Sequence, residues 1–257
     1  MIRAHLAVLA VALGTAACGT QFADPIVDHP GDAAACPTGH ALQFDGTSYG
    51  TLTRLIQDDF TIECWIKTST MGKGPAFSDG NAIAFADIET VQVNDFATSI
   101  VYDKFVVSIG GPDTAATSTS SVTTDEWVHV AATRARGTGV ALVFINGVLE
   151  ASAAGNKNSL GESPDLSLGG RSGRNFYTGL MSEVRLWRTV RTEREIMANL
   201  HHRMKGNEAG LVGYYRLDES SDSIAHDASP SGNDATLTGP ARWVSTTLPF
   251  CDLAEMR

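Results

Sequence analysis

The stretch that most constrains this chain is residues 179–196, GLMSEVRLWRTVRTEREI. Leu180, Val184 and Leu186 fall on one face at period two, and Met181, Glu183, Arg185 and Trp187 on the other, which predicts a strand. Thr192 followed by Glu195 is a capping box: the hydroxyl accepts a helix N–H and the carboxylate reaches back to the cap. Ile196, Met197, Leu200 and Met204 then recur at helical spacing, and Gly206 supplies a stop. The spacing predicts a short amphipathic helix over 192–205. No other segment carries a long helical period.

The rest of the chain reads as short strands separated by turns. ALQFDGTSYGTL predicts a hairpin around Asp45-Gly46, because that dipeptide favours tight turns. FTIECWIKT alternates, with Phe60, Ile62, Cys64 and Ile66 on one face. Residues 81–88 and 96–109 are further β-rich runs, and 114–124, rich in Ser and Thr, is an exposed strand or loop. EWVHVAATRARGTGVALVFINGVLE predicts two long strands joined by a glycine turn, then an Asn146-Gly147 hairpin; GLVGYYRLD is a late strand. Asp222, Asp227, Asn233 and Asp234 do not have EF-hand spacing and predict a turn-rich solvated loop.

The first residues read as an export signal. Arg3 precedes a short apolar run over 6–13, too short to anchor in a bilayer as a helix. Thr15-Ala16-Ala17-Cys18 resembles a lipobox, with Thr15 where Leu is usual, and marks Cys18 for lipidation; ordinary signal-peptidase cleavage nearby is the alternative. Residues 1–17 are then a signal peptide and 18–35, rich in Pro, Gly, Asp and Ala, a flexible tether. Gly19 after the cysteine resembles the outer-membrane sorting pattern, so the expected location is the outer membrane or cell surface, otherwise secreted or periplasmic. Cys36 and Cys251 open and close a single domain over 36–251, with 252–257 as a tail. A Cys36–Cys251 disulfide is expected, because the ends of a sandwich domain often meet. Cys64 reads as a buried, inert thiol.

Taken in order, ALQFDGTSYGTL, FTIECWIKT, DEWVHVAATRA, VALVFINGVL, LSLGGRSGRNFYTGLMSEVRLWRTVRTEREI and EAGLVGYYRLDE resemble the laminin-G-like, concanavalin A-like lectin/glucanase jelly-roll family in its bacterial form, over about residues 40–218. The resemblance implies an all-β, two-sheet antiparallel jelly-roll sandwich with one short edge helix. It also implies carbohydrate or protein recognition outside the cell, not catalysis. Such domains often hold a structural calcium ion through hard oxygen ligands, and the positions that would supply them are Asp45 and Glu183. Ser182 stands where Asp is usual, which weakens that metal site.

The formal charge of −10 excludes a duplex nucleic-acid binder, which needs a basic footprint. Arg185, Arg188, Arg191, Arg194, Arg203 and Lys205 do cluster; a solvated helix face with local ion pairs competes with an anionic-glycan or phosphate patch. His201-His202 reads as surface and His129 as a satisfied strand residue. Trp65, Tyr102, Tyr177 and Trp187 are candidates for stacking on sugar rings, although Trp65 and Trp187 sit in strands that cover a core. No strand carries the paired carboxylates of a glycoside hydrolase, so no catalytic residue is assigned. The sequence leaves three functions in order: a lipid-tethered glycan- or protein-binding module, a structural envelope protein making protein contacts, and, last, a glycosidase.

Overall fold

The computed structural model describes residues 38–76, 79–86, 94–161 and 163–250. The strands are β1 Thr38–Asp45, β2 Tyr49–Thr53, β3 Phe60–Lys67, β4 Asn81–Ala86, β5 Phe96–Val101, β6 Lys104–Ile109, β7 Thr114–Thr117 and β8 Trp127–Ala135. They continue with β9 Val140–Ile145, β10 Val148–Ala154, β11 Asp165–Leu168, β12 Thr178–Trp187, β13 Leu211–Tyr215, β14 Ile224–Ala225, β15 Ala235–Thr238 and β16 Arg242–Thr247. The helix α1 spans Glu193–Ala198. The first sheet runs β10-β9-β8-β3-β12-β1-β16, with β13 also on β12; the second runs β14-β15-β2-β11-β4-β5-β6-β7. Every strand pair is antiparallel. The architecture is the all-β two-sheet sandwich with one short helix that the alternating pattern predicts.

The core lies between the sheets. Phe60, Ile62, Cys64 and Ile66 of β3 point into it, opposite Ile83, Ile100, Phe105 and Val107 of the second sheet. Phe60 and Phe96 meet across the gap with ring centroids 4.6 Å apart. Cys64 is a free thiol, and burial pushes its pKa far above the ordinary thiol range.

Three local expectations are corrected. Asp45-Gly46 makes a turn, with Gly46 at φ 86, but not a hairpin: β1 lies in the first sheet and β2 in the second, so the turn carries the chain across the sandwich. The two faces of β12 are not set by an unbroken period of two. Met181, Val184 and Leu186 line the core, while Leu180 packs on the outer cluster with Trp65. The parity slips because an extra residue bulges between Ser182 and Arg185, where Glu183 takes φ 54. The bulge falls where the neighbour of β12 changes, from β1 at 178–181 to β13 at 184–187.

The third correction concerns the helix. The Thr192–Glu195 capping box forms as predicted, but α1 ends at Ala198, with Asn199 as its C-cap. Leu200 and Met204 are buried beyond it, Met197 is half-exposed, and Gly206 lies in a later bend. The apolar spacing reflects an irregular strap pressed on the sheet, not further helical turns.

Gly179 sits in β12 at φ 145, where a Cβ would lie 2.5 Å from the Lys67 carbonyl oxygen and 2.6 Å from the Tyr177 hydroxyl. Gly179→Ala is expected to lower the unfolding free energy by about 2 kcal/mol or more, read from the midpoint of urea denaturation.

Candidate functional site

The outer face of the first sheet holds a closed polar network. Glu63 on β3 and Glu183 and Arg185 on β12 are all 1% exposed or less. Arg185 donates to Glu183 Oε2 at 2.9 Å and to the carbonyls of Asn199 and His202 at 3.0 and 2.7 Å. The Tyr214 hydroxyl donates to Glu183 at 2.8 Å, and Trp187 Nε1 donates to Glu63 at 2.7 Å. Trp65 Nε1 donates to the Leu200 carbonyl at 3.2 Å. The strap after α1 is thus held on the sheet through the carbonyl oxygens of Asn199, Leu200 and His202.

The electrostatics follow from this closure. Burial favours the neutral form of Glu63, but His129, Arg185 and Arg191 outweigh it and hold its pKa below the ordinary value. Burial prevails at Glu183 over Arg185, Arg203 and Tyr214 and raises its pKa. His129 lies 3.4 Å from Glu63 through Nε2 but makes no well-aligned hydrogen bond, and burial lowers its pKa despite Glu63. Both corrections to the sequence reading are physical. His129 is a buried, under-satisfied base, and Arg185 belongs to a buried ion pair instead of a solvated helix face. His201 and His202 lie past the helix; His201 stacks on Trp65 at 5.6 Å and bonds the Pro249 carbonyl.

Asp45 and Glu183 are not brought together. Asp45 pairs with Thr178, five positions before Glu183 in β12, a separation of roughly 16 Å at strand rise. The Asp45 carboxylate accepts hydrogen bonds from the backbone and hydroxyls of Thr47 and Ser48, and Glu183 is taken up by Arg185 and Tyr214. The two do not fit a shared calcium ion. Among the described residues no group of three or more His, Cys, Asp or Glu is placed to hold a metal. Asp227 is an organiser of its loop, accepting from Tyr214 N, Ser229 N and Asn233 N at 2.9 Å each. Cys18, Cys36 and Cys251 lie outside the described residues. Of the four stacking candidates, Trp65, Tyr177 and Trp187 are buried; Tyr102 is 50% exposed, at the β5–β6 turn.

An open concavity lies elsewhere. A cleft of about 730 Å³ is lined by Arg54, Leu55, Gln57, Asp58, Asp59, Arg136, Gly137, Lys157 and Arg188. It forms where the end of β2, the start of β3, the β8–β9 turn, the segment after β10 and the end of β12 converge. Arg134, fully buried, binds its two rims: its guanidinium donates to the carbonyls of Gln57 and Asp58 on one side and of Asn156 and Asn158 on the other. Arg136 pairs with Asp58 at 2.9 Å and donates to the Lys157 carbonyl at 3.1 Å. Ser159 donates to Asp58 at 2.6 Å; with Arg136 and Arg134 it overcomes partial burial and holds that carboxyl below its ordinary value.

The cleft was missed in sequence because its parts come from four separate segments, 54–59, 136–137, 157 and 188. One local sign was available. Val128, Val130 and Ala132 alternate into the core, and Arg134 continues the inward face opposite Phe60. A charge on an inward position at a strand end marks a buried clamp.

A two-sheet antiparallel sandwich, one face closed by a helix and strap, with an open polar cleft at its strand ends, defines a jelly-roll domain of the lectin and glucanase type. The chain belongs to the concanavalin A-like lectin/glucanases superfamily, whose laminin-G family matches residues 44–197. No curated protein matches the sequence. Among solved structures, the chain is similar to a protein from Bacteroides ovatus described as a candidate carbohydrate binder, with 23% identity and a TM-score of 0.65. That match covers 83% of this chain and 62% of the other, so this chain spans under two thirds of that protein. A heptameric pentraxin from Limulus polyphemus gives 14% identity and a TM-score of 0.48, over 63% of this chain and 81% of the other.

Arg185→Met is expected to cost about 3–5 kcal/mol, because it removes the fully buried ion-pair partner of Glu183 and the donor that the Asn199 and His202 carbonyl oxygens share. The unfolding free energy of the purified variant measures this. His129, depressed by burial, takes a proton more readily when unfolded, so its contribution to stability is full above the ordinary value near 6.5. It is lost as pH falls through the folded value, at a slope of at most about 1.4 kcal/mol per pH unit. Denaturation curves of the wild type and His129→Gln between pH 7.5 and 5 should differ by that component, with the wild type losing more.

Proposed function

We propose that this chain is a non-catalytic recognition module whose cleft, bounded by Arg54, Asp58, Arg136, Lys157 and Arg188, binds a carbohydrate. The observation that carries this reading is the cleft itself: open, polar, and preorganised by a buried arginine that ties both rims. Hydroxyl-rich ligands need paired donors and acceptors on a rigid frame, and guanidinium and carboxylate groups supply both. The superfamily assignment supports the same reading. The carboxylates Glu63 and Glu183 are enclosed under the strap and engaged by Trp187, Arg185 and Tyr214, which favours a structural role for them over glycoside hydrolysis. An extracytoplasmic protein ligand is the alternative occupant of the cleft.

The module would be exported and tethered by a lipid on Cys18, with the domain closed by a Cys36–Cys251 disulfide. Support for the disulfide comes from register. Thr38 at the start of β1 pairs with Thr247 at the end of β16, and in sequence Cys36 stands two residues before the one and Cys251 four residues after the other. A loop of that length is expected to contribute on the order of 4–5 kcal/mol.

A glycan array followed by calorimetry is expected to find a saccharide whose binding is lost in Arg136→Ala; turnover of any polysaccharide would count against the non-catalytic reading. Mass spectrometry of the exported protein should find an acylated Cys18 at the mature N-terminus and a Cys36–Cys251 cross-linked peptide under non-reducing conditions. An unmodified N-terminus elsewhere, or two free thiols, would remove those parts of the proposal.

A further inference from the structure

We infer that the cleft selects an acidic saccharide, one bearing carboxylate or sulfate groups; this rests on the proposed saccharide-binding function and assigns the class of ligand. The chain as a whole carries a formal charge of −10, yet the cleft gathers four cations, Arg54, Arg136, Lys157 and Arg188, against two carboxylates, Asp58 and Asp59. Arg134 beneath the rims adds a fifth cation. Its charge is met by carbonyl oxygens, and no carboxylate lies within ion-pair distance of it among the described residues. Its Nε is buried without a partner. A buried guanidinium hydrogen-bonded only to neutral carbonyls, with the Asp58 and Asp59 carboxylates near it but not paired to it, adds to the positive field beneath the cleft.

These cations divide by what they already do. Arg54 is used up inside the protein: it donates to the carbonyls of Ser163, Ile56 and Gly161 and to the Gln57 side chain. Arg136 is committed to Asp58, and its backbone N–H to Asp59. Lys157 and Arg188 are different. Both are exposed; the Lys157 ammonium makes no bond among the described residues, and Arg188 spends only Nε, on the Leu55 carbonyl at 2.7 Å. Asp58 is neutralised by Arg136 and Ser159. Asp59 spends one oxygen on the Arg136 backbone N–H, so its carboxylate faces the cleft together with Lys157 and Arg188; the balance is one net positive charge, and what it complements is an anion. A planar guanidinium end matches a carboxylate or sulfate in a two-point contact, and the ammonium adds a point charge.

The test is calorimetry on the intact chain with trigalacturonate, a disulfated heparin-type disaccharide and neutral galactotriose. At least one acidic probe is expected to bind about tenfold or more tighter than galactotriose, and to weaken as salt rises from about 50 to about 500 mM. The Lys157→Glu/Arg188→Glu double variant should lose about tenfold or more of that affinity, because both side chains sit at the rim and take little part in folding. Lys205→Glu, a charge reversal on an exposed residue outside the cleft lining, should leave it unchanged. Galactotriose binding as tightly as the acidic probes, with no effect of the double variant, would overturn the acidic selection and leave saccharide binding standing. Equal losses in Lys205→Glu would reduce the effect to overall charge and also overturn it. Failure of all three probes, together with an empty glycan array, would overturn both readings.

Discussion

The outer face of the first sheet depends on one buried ion pair, Glu183 with Arg185. Two neighbouring residues of a regular strand point to opposite faces, and residues two apart share one. Glu183 and Arg185 reach each other on the outer face while Val184 and Leu186 fill the core, and the bulge at Ser182 and Glu183 is what lets Met181 join them inside. At that point β12 exchanges β1 for β13. Arg185 then gathers the carbonyls of the strap, Tyr214 from β13 joins through Glu183, and Trp187 reaches Glu63 on β3. The pair is thus a joint between two strands, a helix end and a strap. Its value to stability is smaller than its geometry suggests, since burying two charges offsets much of their attraction. Its consequence is specificity of arrangement: Glu183 holds φ 54 at the bulge while Arg185 and Tyr214 fix its carboxylate, so the surroundings over-determine a strained backbone.

The cleft repeats this logic at the strand ends. Arg134 is also fully buried, and it too binds carbonyl oxygens of irregular segments. In both places an arginine replaces backbone hydrogen bonds that loops cannot make among themselves. The difference lies in what stands beside it. Arg185 is balanced by a carboxylate and sealed under Leu200 and Met204. Arg134 makes no ion pair and lies beneath an open cleft whose rims it ties, so one arginine closes a surface and the other shapes one.

The fold was legible in the sequence where pairing is continuous. β3 keeps its alternation across its whole length because β8 and β12 flank it on both sides, and the Thr192 capping box is local chemistry that needs no distant partner. Legibility failed where a partner changes. The parity of β12 slips at a bulge set by the handover from β1 to β13, which no residue of β12 announces. The Asp45-Gly46 turn was recognisable, but its destination was not, because turn chemistry is the same whether the next strand joins the same sheet or the opposite one. Leu200 and Met204 kept helical spacing while following a strap whose carbonyls had left the helix for Arg185 and Trp65. The candidate site was least legible of all. Glu63 and Glu183, or Arg54 and Arg188, are neighbours only through topology.

The pairing of Thr38 with Thr247 has a mechanical meaning. Both ends of the described domain leave from the same end of the β1–β16 ladder. Without a cross-link, tension applied between them would load those backbone hydrogen bonds one after another, as in opening a zipper; the proposed Cys36–Cys251 disulfide lies outside that ladder in sequence and would carry the load instead. A load carried between the start of β1 and a ligand in the cleft takes a different route, because β1 is paired with β16 over Thr38–Gln43 and with β12 over Leu42–Asp45. The fold is therefore anisotropic in strength: with that cross-link reduced it is weak when pulled by its two ends, and stiffer when held at one end and gripped at the cleft.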